Sequence, residues 1–329
     1  MLRFFRSYHI MVFVTILSIG VVSWLHVLRG TENYLSGKYA TFMFHLLSGW
    51  FADHQKLYVW SGLILFLLIA LLMTLVNTRL HLTDKNSMLP ALCYVLLIGG
   101  VPEIHRFNPS IIATVFLVTG FILLAKSFES ERLSYIFFTV PVIFSIATFF
   151  HRYMYVYMLV VWIVIALLRP GYWREWVFSF LGFVVLLFFA FSWFFLVEDD
   201  YTRTGIFIDE IFSLQRATPE LSTPSILFVS SCTLLTFSTF GHMLRYMRSN
   251  KVILRKRYFL LILMFFVSAG MVFFIPDLLP SVWYLLAFPM SFILSGYLAT
   301  TRSLRWGTIV LLLLFAGVTV VQTILLSTR

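Results

Sequence analysis

Charge is scarce in this chain of 329 residues: 12% are Asp, Glu, Lys or Arg, where a water-soluble domain carries about 25%. Cysteine is scarcer still. Cys93 and Cys232 are the only two, which excludes a disulfide-stapled scaffold. The histidines and cysteines are scattered singly, so no zinc spacing forms, and His-Glu-x-x-His, Gly-x-Ser-x-Gly, Walker and dinucleotide fingerprints are all missing. Those absences weigh against zinc proteolysis and nucleotide-driven chemistry, and no metal or cofactor is expected. Carboxylate pairs deep within apolar runs are missing too, which argues against a proton-relay pump.

What is present is apolar surface. Hydrophobic residues make up 60% of the chain and 37 residues are Phe, with a mean hydropathy of +0.94. No water-soluble fold has interior enough to hide that much, and disorder is excluded with it. The net charge of +10 resembles a nucleic-acid footprint in size, but its placement gives it another use and no nucleic-acid partner is expected.

A bilayer core of about 30 Å needs roughly 20 apolar residues per helix. Such runs fall at about 9–28, 58–77, 87–101, 110–126, 134–150, 153–168, 176–197, 224–243, 258–275, 281–299 and 306–326. The expectation is an all-α polytopic transmembrane bundle of about eleven spans, with ten to twelve as the range, forming one membrane domain over 1–329. His26 and Arg29 stand at the end of the first run where a cleavage site would need small residues, so this run reads as a retained span. Pro90, Pro141 and Pro289 lie within runs and are candidate kinks. Trp24, Trp173, Trp176, Trp283 and Trp306 near run ends suit interfacial belts.

The distribution of basic residues orients the bundle. With the N-terminus in the cytoplasm, sixteen of the 24 basic residues and four of the 14 acids face inward. The inner side is then +12 and the outer side −2, as the positive-inside rule requires. The run Arg245–Arg257 reads as an anchor on anionic headgroups. A multi-pass protein of the bacterial inner membrane is expected, with membrane lipids as its first partners.

Two outward loops are long, 29–57 and 198–223, and long loops in compact folds tend to carry function. In the first, Tyr39, Phe42, Met43, Leu46, Leu47, Trp50 and Phe51 line one face of an amphipathic helix, opposite Lys38, Thr41, His45 and Ser48, either lying along the outer membrane interface or packed down onto the bundle. The second opens with Glu198, Asp199 and Asp200, followed by Arg203. Six of the ten outward acids lie there, either simply solvated or gathered for the cationic part of a ligand.

Two short outward hairpins each carry a His-Arg pair, His105-Arg106 and His151-Arg152. Arginine suits bidentate contact with phosphate, so these pairs and Arg203 are candidates for holding a lipid-linked phosphate. The plainer alternative is that each Arg snorkels to headgroups and terminates its span.

The stretch from Leu89 to about Phe195 carries a resemblance. It reads LPALCYVLLIGG, then FNPSIIATVFLVTGFILLAKSF, then FSIATFFHRYMYVYMLVVWIVIALLRPGYWREW, then FLGFVVLLFFAF. An Asn-Pro opening a span, a second hairpin and an Arg-x-x-x-Trp-Arg-Glu turn resemble a family of uncharacterised inner-membrane proteins of Bacteroidetes. That likeness implies location and lends no activity. In architecture the chain also resembles the C-type glycosyltransferases that use polyprenyl-phosphate sugars. These place a catalytic carboxylate in the first outward loop, followed by interfacial helices. Glu32 of Thr31-Glu32-Asn33 stands at that place, as a single acid where the family has a pair.

The likeness implies an enzyme acting on a polyprenyl-phosphate carrier at the outer leaflet. Glu32, His45, Asp199 and Asp200 are then its catalytic candidates, and Arg106, Arg152, Arg203, His105 and His151 its phosphate ligands. A non-catalytic subunit bound to a membrane-protein partner, and a lipid or solute transporter, are the competing readings. The enzyme needs the outward polar residues to converge, whereas the subunit needs a large apolar face.

Overall fold

The computed structural model describes residues 5, 9–29, 43–44, 47, 49, 55–83, 87–129, 133–197, 221–249, 252–275, 279–301 and 304–327. Among them the chain is all-helical. Eleven α-helices follow in order: α1 Ile10–Arg29, α2 Gln55–Leu80, α3 Leu89–Gly99, α4 Pro109–Ser127, α5 Leu133–Thr148, α6 Met158–Leu168, α7 Trp173–Val197, α8 Thr223–Ser249, α9 Val252–Phe274, α10 Leu279–Thr300 and α11 Leu304–Ser327. Two 3₁₀ turns, Pro102–Ile104 and Arg152–Tyr157, lie between α3 and α4 and between α5 and α6.

Each of the eleven expected runs is a helix, but they are not equally long. Among the described residues seven helices are long and apolar enough to cross a membrane, and the chain is therefore a multi-pass membrane protein. The apolar stretches Ile10–Leu25, Leu89–Gly99, Leu133–Thr148 and Arg152–Leu168 are shorter. The shortest, α3, has 11 residues, about 16 Å at 1.5 Å per residue, or roughly half the bilayer core.

This short helix lies at the centre. Every residue of α3 is buried, and it packs against α1, α2, α10 and α11. Its largest neighbour, α10, also touches α4, α8 and α9, and 89% of its membrane-length window is buried. Helix α7 lies at the edge, against α5 and α6, with 17% of its window buried. In water such exposure would be ruinous, but in lipid tails Phe180, Phe188 and Phe189 of α7 cost nothing.

Local chemistry sets the helix ends. Asn108 caps α4 by accepting from the Ile111 N–H at 3.0 Å, and Pro109 occupies the first turn, where a missing N–H costs nothing. Pro90 likewise falls in the first turn of α3 and does not kink it, whereas Pro141 and Pro289 lie inside α5 and α10. At the other end of α3, Gly100 is required by close approach: a Cβ there would clash with the Phe228 ring.

Helices α4 and α5 are antiparallel, with Phe116 stacked on Phe150 at 5.9 Å and Gly120 against Phe144. The connections 100–108 and 149–152 therefore share one end of the bundle, the hairpin end. At the opposite, basic end, Arg257 donates to the Leu80 carbonyl at 2.7 Å and pairs with Glu129 at 2.8 Å. The neighbouring Tyr258 hydroxyl donates to the Leu82 carbonyl at 2.6 Å.

Three expectations change here. Arg257, the last residue of the basic run, is buried and ties α9 to the ends of α2 and α4, so it does not anchor headgroups. Trp24 and Trp283 are fully buried against α3 and its flanking chain, while Trp173, Trp176 and Trp306 are exposed as belt residues should be. In the first long loop Met43 is 44% exposed and Phe44 is 1% exposed. Phe44, which the helical pattern leaves off the apolar face, packs on Phe107 at 5.5 Å, so contact with the bundle decides which face is buried.

Candidate functional site

The site begins with the end of α3. A helix leaves its last four carbonyls without internal partners, and inside an apolar bundle no water replaces them. Here each has a donor. The Leu96 carbonyl accepts from the Gly100 N–H at 3.2 Å, and that of Leu97 accepts from the Trp283 indole N–H at 3.0 Å. The Ile98 carbonyl takes the His105 ring at Nε2, also at 3.0 Å, and that of Gly99 takes the Gln322 amide at 3.0 Å. Side chains from α10, α11 and the following loop thus close a helix that stops partway through the bundle.

That early stop recesses the segment 100–108. Gly62 lies seven residues inside α2, and a Cβ on it would meet the Phe107 nitrogen at 2.8 Å and the Arg106 carbonyl carbon at 3.1 Å. Arg106 and Phe107 therefore lie about two turns, roughly 10 Å, short of the start of α2. The Tyr58 hydroxyl donates to the Phe107 carbonyl and that of Tyr284 to the Ile104 carbonyl, so both aromatic residues hold the segment in place. The Arg106 guanidinium acts electrostatically on both hydroxyls.

Glu103 fixes the same segment from another side. Its carboxylate accepts from the Ser222 N–H at 3.1 Å, from the Ser222 hydroxyl, and from the Ser225 hydroxyl at 2.7 and 2.8 Å. A carboxylate at the start of α8 meets the exposed N–H groups and positive pole of that helix. The C-terminal end of the second long loop is thereby fastened to the segment that carries Arg106.

The second His-Arg pair is recessed as well. Phe150 stacks on Phe116, seven residues into α4, so this connection also stops about two turns short of its neighbour. His151 is 0% exposed and Arg152 2%. Arg152 acts on Tyr153 and Tyr155, and the His151 ring meets the Tyr153 ring edge-on at 6.2 Å. Burial, opposed by a contact with the residue's own backbone and aided by the Arg152 charge, pushes the His151 imidazole down to about 4. The ring is neutral, so it offers a ligand a hydrogen bond and no charge.

Of the sequence candidates, Arg106 and Arg152 thus occupy recessed positions at one end, each among tyrosines. His105 is 1% exposed, stacked on Trp24 at 5.2 Å and bonded to Ile98, which gives it a bracing role at the end of α3. Glu32, His45, Asp199, Asp200 and Arg203 lie outside the described residues. Sequence reading missed Glu103, Tyr58, Tyr284, Trp283 and Gln322. A lone amide in an apolar run was the available signal for Gln322, but its partners, carbonyls on other helices, have no sequence signature. Among the described residues no group of three or more His, Cys, Asp or Glu could hold a metal ion. No family model, curated protein or solved structure matches this chain.

Proposed function

We propose that this protein is an enzyme of the bacterial inner membrane that transfers or processes a polyprenyl-phosphate-linked sugar at the outer leaflet. One observation carries the reading: both His-Arg connections are recessed at one end of the bundle, the first about two turns below the start of α2 and the second about two turns below the start of α4, with their arginines among tyrosines. A lipid arriving from the side of the bundle would bring its phosphate to such a depth. Guanidinium groups there would meet it in a low dielectric, where charge-assisted bonds are strong.

The chemistry asked of the site is modest. Glu32 takes the proton of an acceptor hydroxyl, whose oxygen bonds to the anomeric carbon of the sugar. The bond from that carbon to the phosphate oxygen breaks, and the lipid phosphate leaves with its charge held by Arg106 and Arg152. The architectural likeness to C-type glycosyltransferases supports Glu32 for the first role, as an analogy.

The test is complementation. Cells lacking the gene would receive the native protein, Glu32→Ala or Arg106→Gln, each matched for membrane abundance, and surface glycans would be compared. Restoration by the native protein, abolition by Glu32→Ala and a roughly 10- to 100-fold loss with Arg106→Gln are expected. Unchanged glycans in every strain would reject the reading.

A second reading, a non-catalytic subunit, draws on the exposed aromatic face of α7. It requires a membrane protein that co-purifies at fixed stoichiometry and is lost when Phe188 and Phe189 become Ala. Transport finds less support, since neither central helix, α3 or α10, carries a charged residue to line a path.

A further inference from the structure

His151 is fully buried, and neither of its ring nitrogens has a hydrogen-bond partner on any other residue. Native structures rarely leave buried polar atoms so, because an unmade hydrogen bond costs stability. The contrast with His105 is direct: that ring uses Nε2 on the Ile98 carbonyl and stacks on Trp24. His151 has no comparable structural bond, although it lies in a recessed connection beside a cation and two tyrosines.

The protonation state of the ring narrows what would complete it. A neutral imidazole has one N–H to donate and one lone pair to receive a donor. An ionised phosphate diester accepts only, so it would satisfy the N–H and leave the lone pair unmet. A sugar hydroxyl donates and accepts. Arg152, the next residue, supplies the charge for a phosphate attached to that sugar.

We propose that the Phe149–Arg152 connection binds the head of a glycosyl phosphate, with a sugar hydroxyl on the His151 ring and the phosphate on Arg152. The assignment rests on the enzyme reading above and adds which part of the substrate each residue takes. His151 is a substrate-positioning group for the sugar and takes no charge from the phosphate. A bare lipid phosphate, free phosphate or a trapped water would each complete the site differently.

The experiment uses the full chain in lipid nanodiscs with ¹⁵N-labelled histidine, the His151 signals being those missing from His151→Gln. The probes are farnesyl phosphate, inorganic phosphate, and farnesyl phosphate carrying glucose, galactose, mannose or N-acetylglucosamine. At least one glycosylated probe should bind about tenfold more tightly than farnesyl phosphate and shift the His151 ring signals. His151→Phe should abolish that preference, and His151→Gln, whose amide both donates and accepts, should keep part of it. Arg152→Gln should weaken both farnesyl ligands, with thermal melting confirming that each variant is folded.

Equal binding of glycosylated and bare farnesyl phosphate overturns the proposal in favour of a lipid-phosphate site. Equal binding of inorganic phosphate overturns it in favour of an anion site. Unshifted His151 signals with every probe overturn it in favour of a trapped water. If any of these results accompanies loss of glycans in the deletion strain, the His151 assignment fails and the enzyme reading stands. With unchanged glycans, both fail.

Discussion

His151 ties protonation to stability in a definite direction. Its ring sits at about 4 in the fold against 6.5 when solvated. Above about pH 6.5 both states are neutral and the fold keeps its full stability. As pH falls toward 4, the unfolded ring takes a proton that the buried ring refuses, and stability is lost. Melting measured at pH 7.5 and 5 should therefore fall further for the native protein than for His151→Phe, and parallel losses would contradict the burial. Gly62 offers a second check. A Cβ there presses on the backbone of Arg106 and Phe107, which cannot swing aside as a side chain would. Gly62→Ala should cost about 1–3 kcal/mol, while Gly171→Ala, with nothing within 4 Å, should leave melting unchanged.

At the scale of the element, α3 determines where the recess lies. Its length was legible in part: the run at 87–101 is visibly short, and Gly99, Gly100 and Pro102 mark its end. What closes it was not legible, because Trp283 and Gln322 lie 186 and 223 residues away in sequence from the carbonyls they serve. Trp283 reads from sequence as a belt residue because tryptophan near a run end usually is one. It is buried because its indole N–H has a carbonyl to meet. Trp283→Phe and Gln322→Leu each leave a carbonyl unmet and should cost about 1–3 kcal/mol of stability. Their combination should cost less than the sum if the end of α3 relaxes once opened, which a double-mutant cycle on thermal melting would measure. Full additivity would mean that the two donors act independently.

For the whole molecule, composition and run length made the helical membrane class plain, and all eleven runs are helices. Periodicity could not separate seven membrane-length helices from shorter apolar ones, because a buried half-helix and a span share one composition. The site was legible as two His-Arg pairs and illegible in depth, since depth follows from how far α2 and α4 extend past their neighbours. Orientation has its own test. Cys93 and Cys232 are buried, so an introduced thiol can be read against a low background. In spheroplasts Lys56→Cys at the hairpin end should react with an impermeant maleimide from outside. Gly171→Cys at the basic end should react only after permeabilisation, and the reverse pattern would invert the bundle.

The enzyme reading is tested most directly by mass spectrometry of polyprenyl-linked sugars in cells lacking the gene and in the same cells given it back. A lipid-linked sugar that accumulates on deletion and clears with the native protein, but not with Arg106→Gln, is the predicted result. A lipid-linked pool identical in all three strains would contradict the account.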